Sequence, residues 1–219
     1  MAHAPLLRWF CALIVPLFLL TVCLAIVPAA AQDDLYDNGP TNGTLSAWTV
    51  DFGFAVSDSF TLSRSSQIDG LMFAFWLSPT LTVIQADVQI TSSEFGGTTY
   101  FDGAVNFTQA SCVVNQLGYN LCTETGAISP LNLNAGTYWL TVENATASAP
   151  DDIVYWDENS GPSLASENSV GTIPSESFTL LGSVNSTTTT TGTSPEPSSI
   201  VMFGSGMIAV AGILRRKFF

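Results

Sequence analysis

An all-β fold, a β-sandwich of jelly-roll type, is what this sequence predicts, and three observations carry that expectation. Apolar residues recur at period two from Trp48 to Leu181. Clusters of Gly, Asn, Ser and Pro interrupt them at the spacing of short strands. No long stretch of helical periodicity lies between the two apolar ends of the chain.

Taken in order, Trp48, Val50, Phe52, Phe54 and Val56 fall on one face, with Thr49, Asp51 and Gly53 opposite, which predicts a single half-buried strand. Phe60 and Leu62 continue the style, and Leu71 to Leu77 is apolar on both faces, as a central strand would be. Ile84, Ala86, Val88 and Ile90 alternate with Gln85, Asp87 and Gln89. Tyr100 to Thr108 reads as a further strand, and Cys112 to Cys122 as a hairpin. Tyr138, Leu140 and Val142 alternate after a turn at Gly136, and Ile153 to Trp156 and Phe178 to Leu181 complete the set. The hexapeptide Ser57-Asp58-Ser59-Phe60-Thr61-Leu62 is echoed by Ser175-Glu176-Ser177-Phe178-Thr179-Leu180. Sandwiches often pair their first and last strands, so the echo either marks such a pair or is a coincidence between two ordinary strands.

Both ends of the 219-residue chain differ from this body. Residues 1–31 have the form of a secretory signal peptide, with Arg8, an apolar core from Trp9 to Val27, and Ala29-Ala30-Ala31 as an A-x-A cleavage site before Gln32. An uncleaved N-terminal anchor is the alternative. The body then runs over 32–182, and 183–194 is a Thr/Ser-rich stretch that cannot bury a core and reads as a disordered stalk. Ser198 to Leu214 is uncharged and about the shortest run able to span a bilayer, which takes roughly 17 to 25 residues. Arg215, Arg216 and Lys217 follow it, and such cations are held on the cytoplasmic side, which puts the body outside.

In front of that apolar run, Pro195 and Pro197 bracket Glu196 and hold the backbone extended, which suits a processing enzyme, a plain C-terminal anchor being the alternative. The triplet Pro195-Glu196-Pro197, the short apolar segment and the terminal Arg215-Arg216-Lys217 resemble the PEP-CTERM sorting signal over residues 195–219. The resemblance implies recognition by an exosortase in the inner membrane, removal of the tail near the triplet, and delivery to the cell surface or its matrix. Exosortase and the secretion machinery are the partners it implies. It covers the tail alone and carries no activity for the body.

The body's composition excludes several classes of function. Its only cation is Arg64, it has neither Lys nor His, and every carboxylate of the chain except Glu196 lies within it. So acidic a surface repels nucleic acid and anionic lipid, and favours cation binding. With no histidine, lysine or free thiol there is no ordinary base to activate a nucleophile. A carboxylate pair of glycosidase type is the one catalytic arrangement left, and no signature points to one. The expectation is a protein that is not an enzyme. Cys112 and Cys122 form an even pair in an oxidising compartment and point to a disulfide, a two-cysteine metal site being the other use.

Two acidic loops have the composition of calcium ligands: Asp33-Asp34-Leu35-Tyr36-Asp37-Asn38-Gly39 and Asp151 to Gly161. Asp37, Asn38, Asp157 and Asn159 are the candidate Ca2+ ligands, although Asp, Asn and Gly also make ordinary turns. Tyr155 and Trp156 are candidates for stacking on a sugar ring, although sandwich cores also contain tryptophan. The function expected is an exported cell-surface or extracellular-matrix protein with a structural or adhesive β-sandwich. The alternatives are a carbohydrate-binding module on exopolysaccharide, and a glycoside hydrolase or lyase.

Overall fold

Asp33 pairs with Gly182, so the two ends of the body lie side by side. The computed structural model describes residues 32–44 and 46–185. The signal segment with Ala29 and Ala31, and the tail with Pro195, Glu196, Pro197, Arg215, Arg216 and Lys217, lie outside the described residues, as does most of the expected stalk. Among the described residues no helix is long and apolar enough to cross a membrane.

The described residues form thirteen strands: β1 (Asp33–Asp37), β2 (Ala47–Thr49), β3 (Ala55–Leu62), β4 (Ser66–Leu77), β5 (Val83–Ser93), β6 (Gly96–Val114), β7 (Asn120–Leu133), β8 (Gly136–Ala147), β9 (Tyr155–Asn159), β10 (Ala165–Glu167), β11 (Gly171–Ile173), β12 (Ser175–Glu176) and β13 (Phe178–Val184). They make one curled antiparallel sheet in the order β1-β13-β4-β7-β6-β5-β8-β3-β10-β11, and β9 adds to it by pairing with β4, β2 and β12. The fold is all-β, as the alternation predicts. Long strands form here because Val, Ile, Thr and aromatic side chains suit a pleated surface, and short turn sequences such as Ser63-Arg64-Ser65 and Asn134-Ala135 reverse the chain between them.

β6 holds the two halves of the sheet together. Its residues up to Asn106 pair with β5, and those from Phe107 onward pair with β7. Both halves line one core, with Val56, Phe60, Ala86, Val88, Ile90, Leu140 and Val142 on one side and Leu71, Phe73, Phe75, Cys122, Trp156, Phe178 and Leu180 on the other. Each large apolar side chain buried in this way contributes roughly 1.5–3 kcal/mol. The opposite face of β4 is also covered: Ala74 and Trp76 join Leu121 in a second, small cluster with Ala47, Tyr119 and Tyr155. That accounts for a β4 segment apolar on both faces.

Five local readings are settled by the structure. Trp48 to Val56 is not one strand: Phe54 N–H donates to Asp51 O at 2.9 Å, and the resulting turn leaves Phe52 62% exposed with φ +50°. Asp51 and Gly53 carry the turn chemistry that period-two matching passed over. In β5 a bulge between Val83 and Gln85 turns Val83 inward and Ile84 out to solvent. The strand expected at Ile153 begins at Tyr155, and β13 continues through Ser183 and Val184, beyond the expected end of the body. The echoed hexapeptides do not pair. β3 lies between β8 and β10, and β13 between β1 and β4. The sequence-terminal strands do pair, but through β1.

Candidate functional site

The two acidic loops meet inside the fold. Asn159 Nδ2 donates to the backbone oxygen of Asn38 at 2.9 Å, and Gly161 closes against the same carbonyl. Asn38 is fully buried and serves as the hub. Its Nδ2 lies 2.9 Å from Asp58 Oδ2, 2.8 Å from Ser175 Oγ and 2.7 Å from Glu176 O. Its Oδ1 accepts from Tyr36 OH at 2.6 Å and Ser163 Oγ at 2.9 Å. Burial and the nearby Asp58 charge push the Tyr36 hydroxyl up to about 12, so it stays a donor.

The four residues expected to bind calcium are placed differently from one another. Asp37 is exposed, and its Oδ1 accepts the Gly39 N–H at 2.9 Å, an Asx turn. Asp157 is fully buried, with Oδ1 accepting from Trp76 Nε1 at 2.6 Å and Gly43 N at 2.9 Å, and Oδ2 from Asn42 N at 2.7 Å. These bonds tie the Asn42-Gly43 loop down over the small outer cluster, where Gly43 sits against Leu121. Asn159 Oδ1 accepts Gly161 N at 2.8 Å. Asn38 and Asn159 therefore share one hydrogen-bond network, Asp157 is satisfied separately by Trp76, Asn42 and Gly43, and Asp37 stands outside both. Among the described residues no three of His, Cys, Asp and Glu are gathered as a metal-binding group.

The carboxylates whose oxygens are not satisfied are ones the sequence did not single out. Glu176 is fully buried, and neither of its oxygens has a hydrogen-bond partner. Asp58 is fully buried too: Oδ2 accepts Glu176 N at 2.8 Å, and Oδ1 has no partner. Across the β9–β12 ladder Glu158 stands directly opposite Glu176, and its Oε2 accepts Trp48 Nε1 at 3.0 Å. Burial raises the Glu176 carboxyl well above the usual range, and the charges of Asp58, Glu158 and Asp157 add to this. Burial also raises Asp58 and Asp157, with the hydrogen bonds they accept pulling the other way. Elsewhere in the interior, Glu124 of β7 is fully buried with neither oxygen paired, and burial pushes it up to about 7.

The aromatic candidates divide cleanly. Trp156 is fully buried, donates from Nε1 to Ser177 O at 2.8 Å and packs edge-on to Phe73 with ring centroids 5.3 Å apart. It has no face to offer a sugar. Tyr155 points to the other side of the sheet, half-buried, where its ring meets Tyr119 at 5.8 Å, and Tyr119 in turn meets Trp76 at 6.0 Å. The pairing of Tyr119 with Tyr155 was missed because Tyr119 lies in the turn of the Cys112–Cys122 hairpin, far from Tyr155 in sequence. Cys112 and Cys122 are bonded across a paired rung of β6 and β7.

No protein-family model, no curated protein and no solved structure matches this chain.

Proposed function

We propose that this is an exported, non-enzymatic surface or matrix protein whose body, a jelly-roll sandwich, serves as a structural or adhesive module. The observation that carries the proposal is the Cys112–Cys122 bridge on an all-β body whose single cation, Arg64, lies in an exposed turn. A disulfide persists in oxidising compartments outside the cytoplasm. The side chains of the body supply no histidine, lysine or free thiol to a reaction. In this proposal the signal at 1–31 and the tail at 195–219 act only on the route, through the secretion machinery and an exosortase. Mass spectrometry of the protein recovered from cells tests it. The expected species begins at Gln32, ends near Pro195-Glu196-Pro197 and carries the bridge. Full-length protein in the cytoplasm with both thiols free would overturn it.

A second proposal, carbohydrate binding on exopolysaccharide, is favoured by one arrangement: the paired Tyr119 and Tyr155 rings beside Trp76 on the outer face of β4. Aromatic faces stack on sugar rings, and the half-buried tyrosines are held in place by the packing beneath them. Retention on exopolysaccharide that is lost in Tyr155→Ala and Tyr119→Ala, with melting temperature kept, supports this use. Equal retention by the wild type and both variants removes it.

A further inference from the structure

Glu176 poses a problem that the rest of the body does not solve. Its side chain is fully buried, and both oxygens lack any donor. Asp58 lies against it through the bond from Glu176 N, with its own Oδ1 also unpartnered, and Glu158 and Asp157 are close enough for their charges to be felt. An isolated carboxylate held away from water costs far more than a domain can bear, so it is met by a proton or by a cation. No side chain among the described residues can provide the cation. Arg64, the one candidate, sits exposed in the turn between β3 and β4.

We propose that Glu176 and Asp58 bind a calcium ion, which joins β12 to β3 across the interior. The donors are all oxygen: two from Glu176, Oδ1 of Asp58, and the hydroxyls of Ser163 and Ser175, which lie 2.7 Å from one another beside Asp58. A set with no sulfur or imidazole selects a hard cation. Calcium accepts a bidentate carboxylate and an irregular shell, whereas magnesium requires near-ideal octahedral geometry and keeps its waters. The site is distinct from the Asp37, Asn38, Asp157 and Asn159 set. There the buried oxygens already hold donors, while here both oxygens of Glu176 and Oδ1 of Asp58 hold none. The inference rests on burial and orphaned atoms alone and stands whether or not the export proposal does.

The test uses the purified full chain, stripped with a chelator and then titrated with calcium while thermal unfolding is followed. Magnesium, and sodium at matched ionic strength, control for general screening of the acidic surface. Calcium is expected to raise the melting temperature saturably, by roughly 5–10 °C at a hundredfold excess over Kd, with one ion bound in calorimetry. Glu176→Gln is expected to lose that increment while melting no lower than the stripped wild type, because the amide removes an uncompensated charge. Asp37→Asn is expected to keep it. A calcium effect no larger than that of magnesium overturns the proposal, as does a Glu176→Gln variant that still responds. A response lost in Asp37→Asn and kept in Glu176→Gln places the ion in the exposed loop and overturns it equally.

Discussion

The ring of Phe60 meets the ring of Phe178 edge-on, with centroids 6.5 Å apart, across the core between β3 and β13. These residues hold the same place in the two echoed hexapeptides, and two positions earlier Asp58 Oδ2 accepts the Glu176 N–H. The repeat thus marks two segments packed face to face, aromatic against aromatic and acid against acid, rather than two strands sharing a ladder. Phe60 is 1% exposed and Phe178 2% exposed. Phe60→Ala and Phe178→Ala are each expected to cost about 3–5 kcal/mol in urea unfolding. The double variant is expected to fall short of the sum by about 0.5–1.5 kcal/mol, the coupling of the ring pair.

Gly161 is held in place by space. A Cβ there would lie 2.1 Å from the Asn38 carbonyl oxygen, 2.7 Å from Ser175 Oγ and 2.8 Å from Asn159 Oδ1. The backbone carbonyl cannot swing aside as a flexible side chain could. Gly161→Ala is expected to destabilise by about 3 kcal/mol or more, since it breaks the Asn38 hub as well as crowding it. Denaturant unfolding beside the control Gly103→Ala, where an added Cβ would meet only the Phe101 ring at 3.6 Å, checks this.

Acid should stabilise this protein over a range where it weakens many others. Glu124 has its folded value near 7 against an ordinary 4.5, so its favourable contribution is complete below the lower value and lost as pH rises through the higher one. Glu176, Asp58, Asp157 and Asp51 are all shifted in the same direction, chiefly by burial. In chelator, the melting temperature is expected to be higher at pH 5 than at pH 8. Glu124→Gln is expected to raise stability at pH 8 and flatten the profile. A melting temperature that falls from pH 8 to pH 5 in both proteins would contradict the assignment.

Reduction should act locally first. The bridge closes the β6–β7 hairpin near its tip, where Val113, Val114 and Leu117 are exposed. For so short a loop the chain-entropy account gives roughly 2–3 kcal/mol. Cys112→Ser with Cys122→Ser is expected to lower the melting temperature by several degrees. Amide exchange is expected to quicken from Ser111 to Leu121, with β4 remaining protected.

The strands were legible where one register ran without interruption. In β8, Tyr138, Leu140 and Val142 are buried as their alternation requires, and the apolar β4 segment is covered on both faces. Legibility failed where one residue shifts the register: Asp51 opens a turn and a bulge reverses Ile84, and period-two counting sees neither. The buried acids escaped for a related reason. Glu124 lies inward between Cys122 and Gly126, and Glu176 precedes Phe178 in a polar run. A carboxylate at an inward position reads in sequence as a solvent-facing residue, because its burial depends on strands distant in the chain. Asn38, Asp157 and Asn159 were recognised by composition, but which of their oxygens hold donors is a matter of tertiary contact.

The β1–β13 ladder has a mechanical consequence. Asp33 stands opposite Gly182 and Asp37 opposite Thr179, so the beginning of the one strand and the end of the other leave from the same side. A pull applied between Gln32 and Asn185 would load that ladder a rung at a time, from the outside inward, and never all its bonds together. Traction on the free ends would therefore peel β1 away under small force, while the interior bounded by β3 and β8 kept its shape.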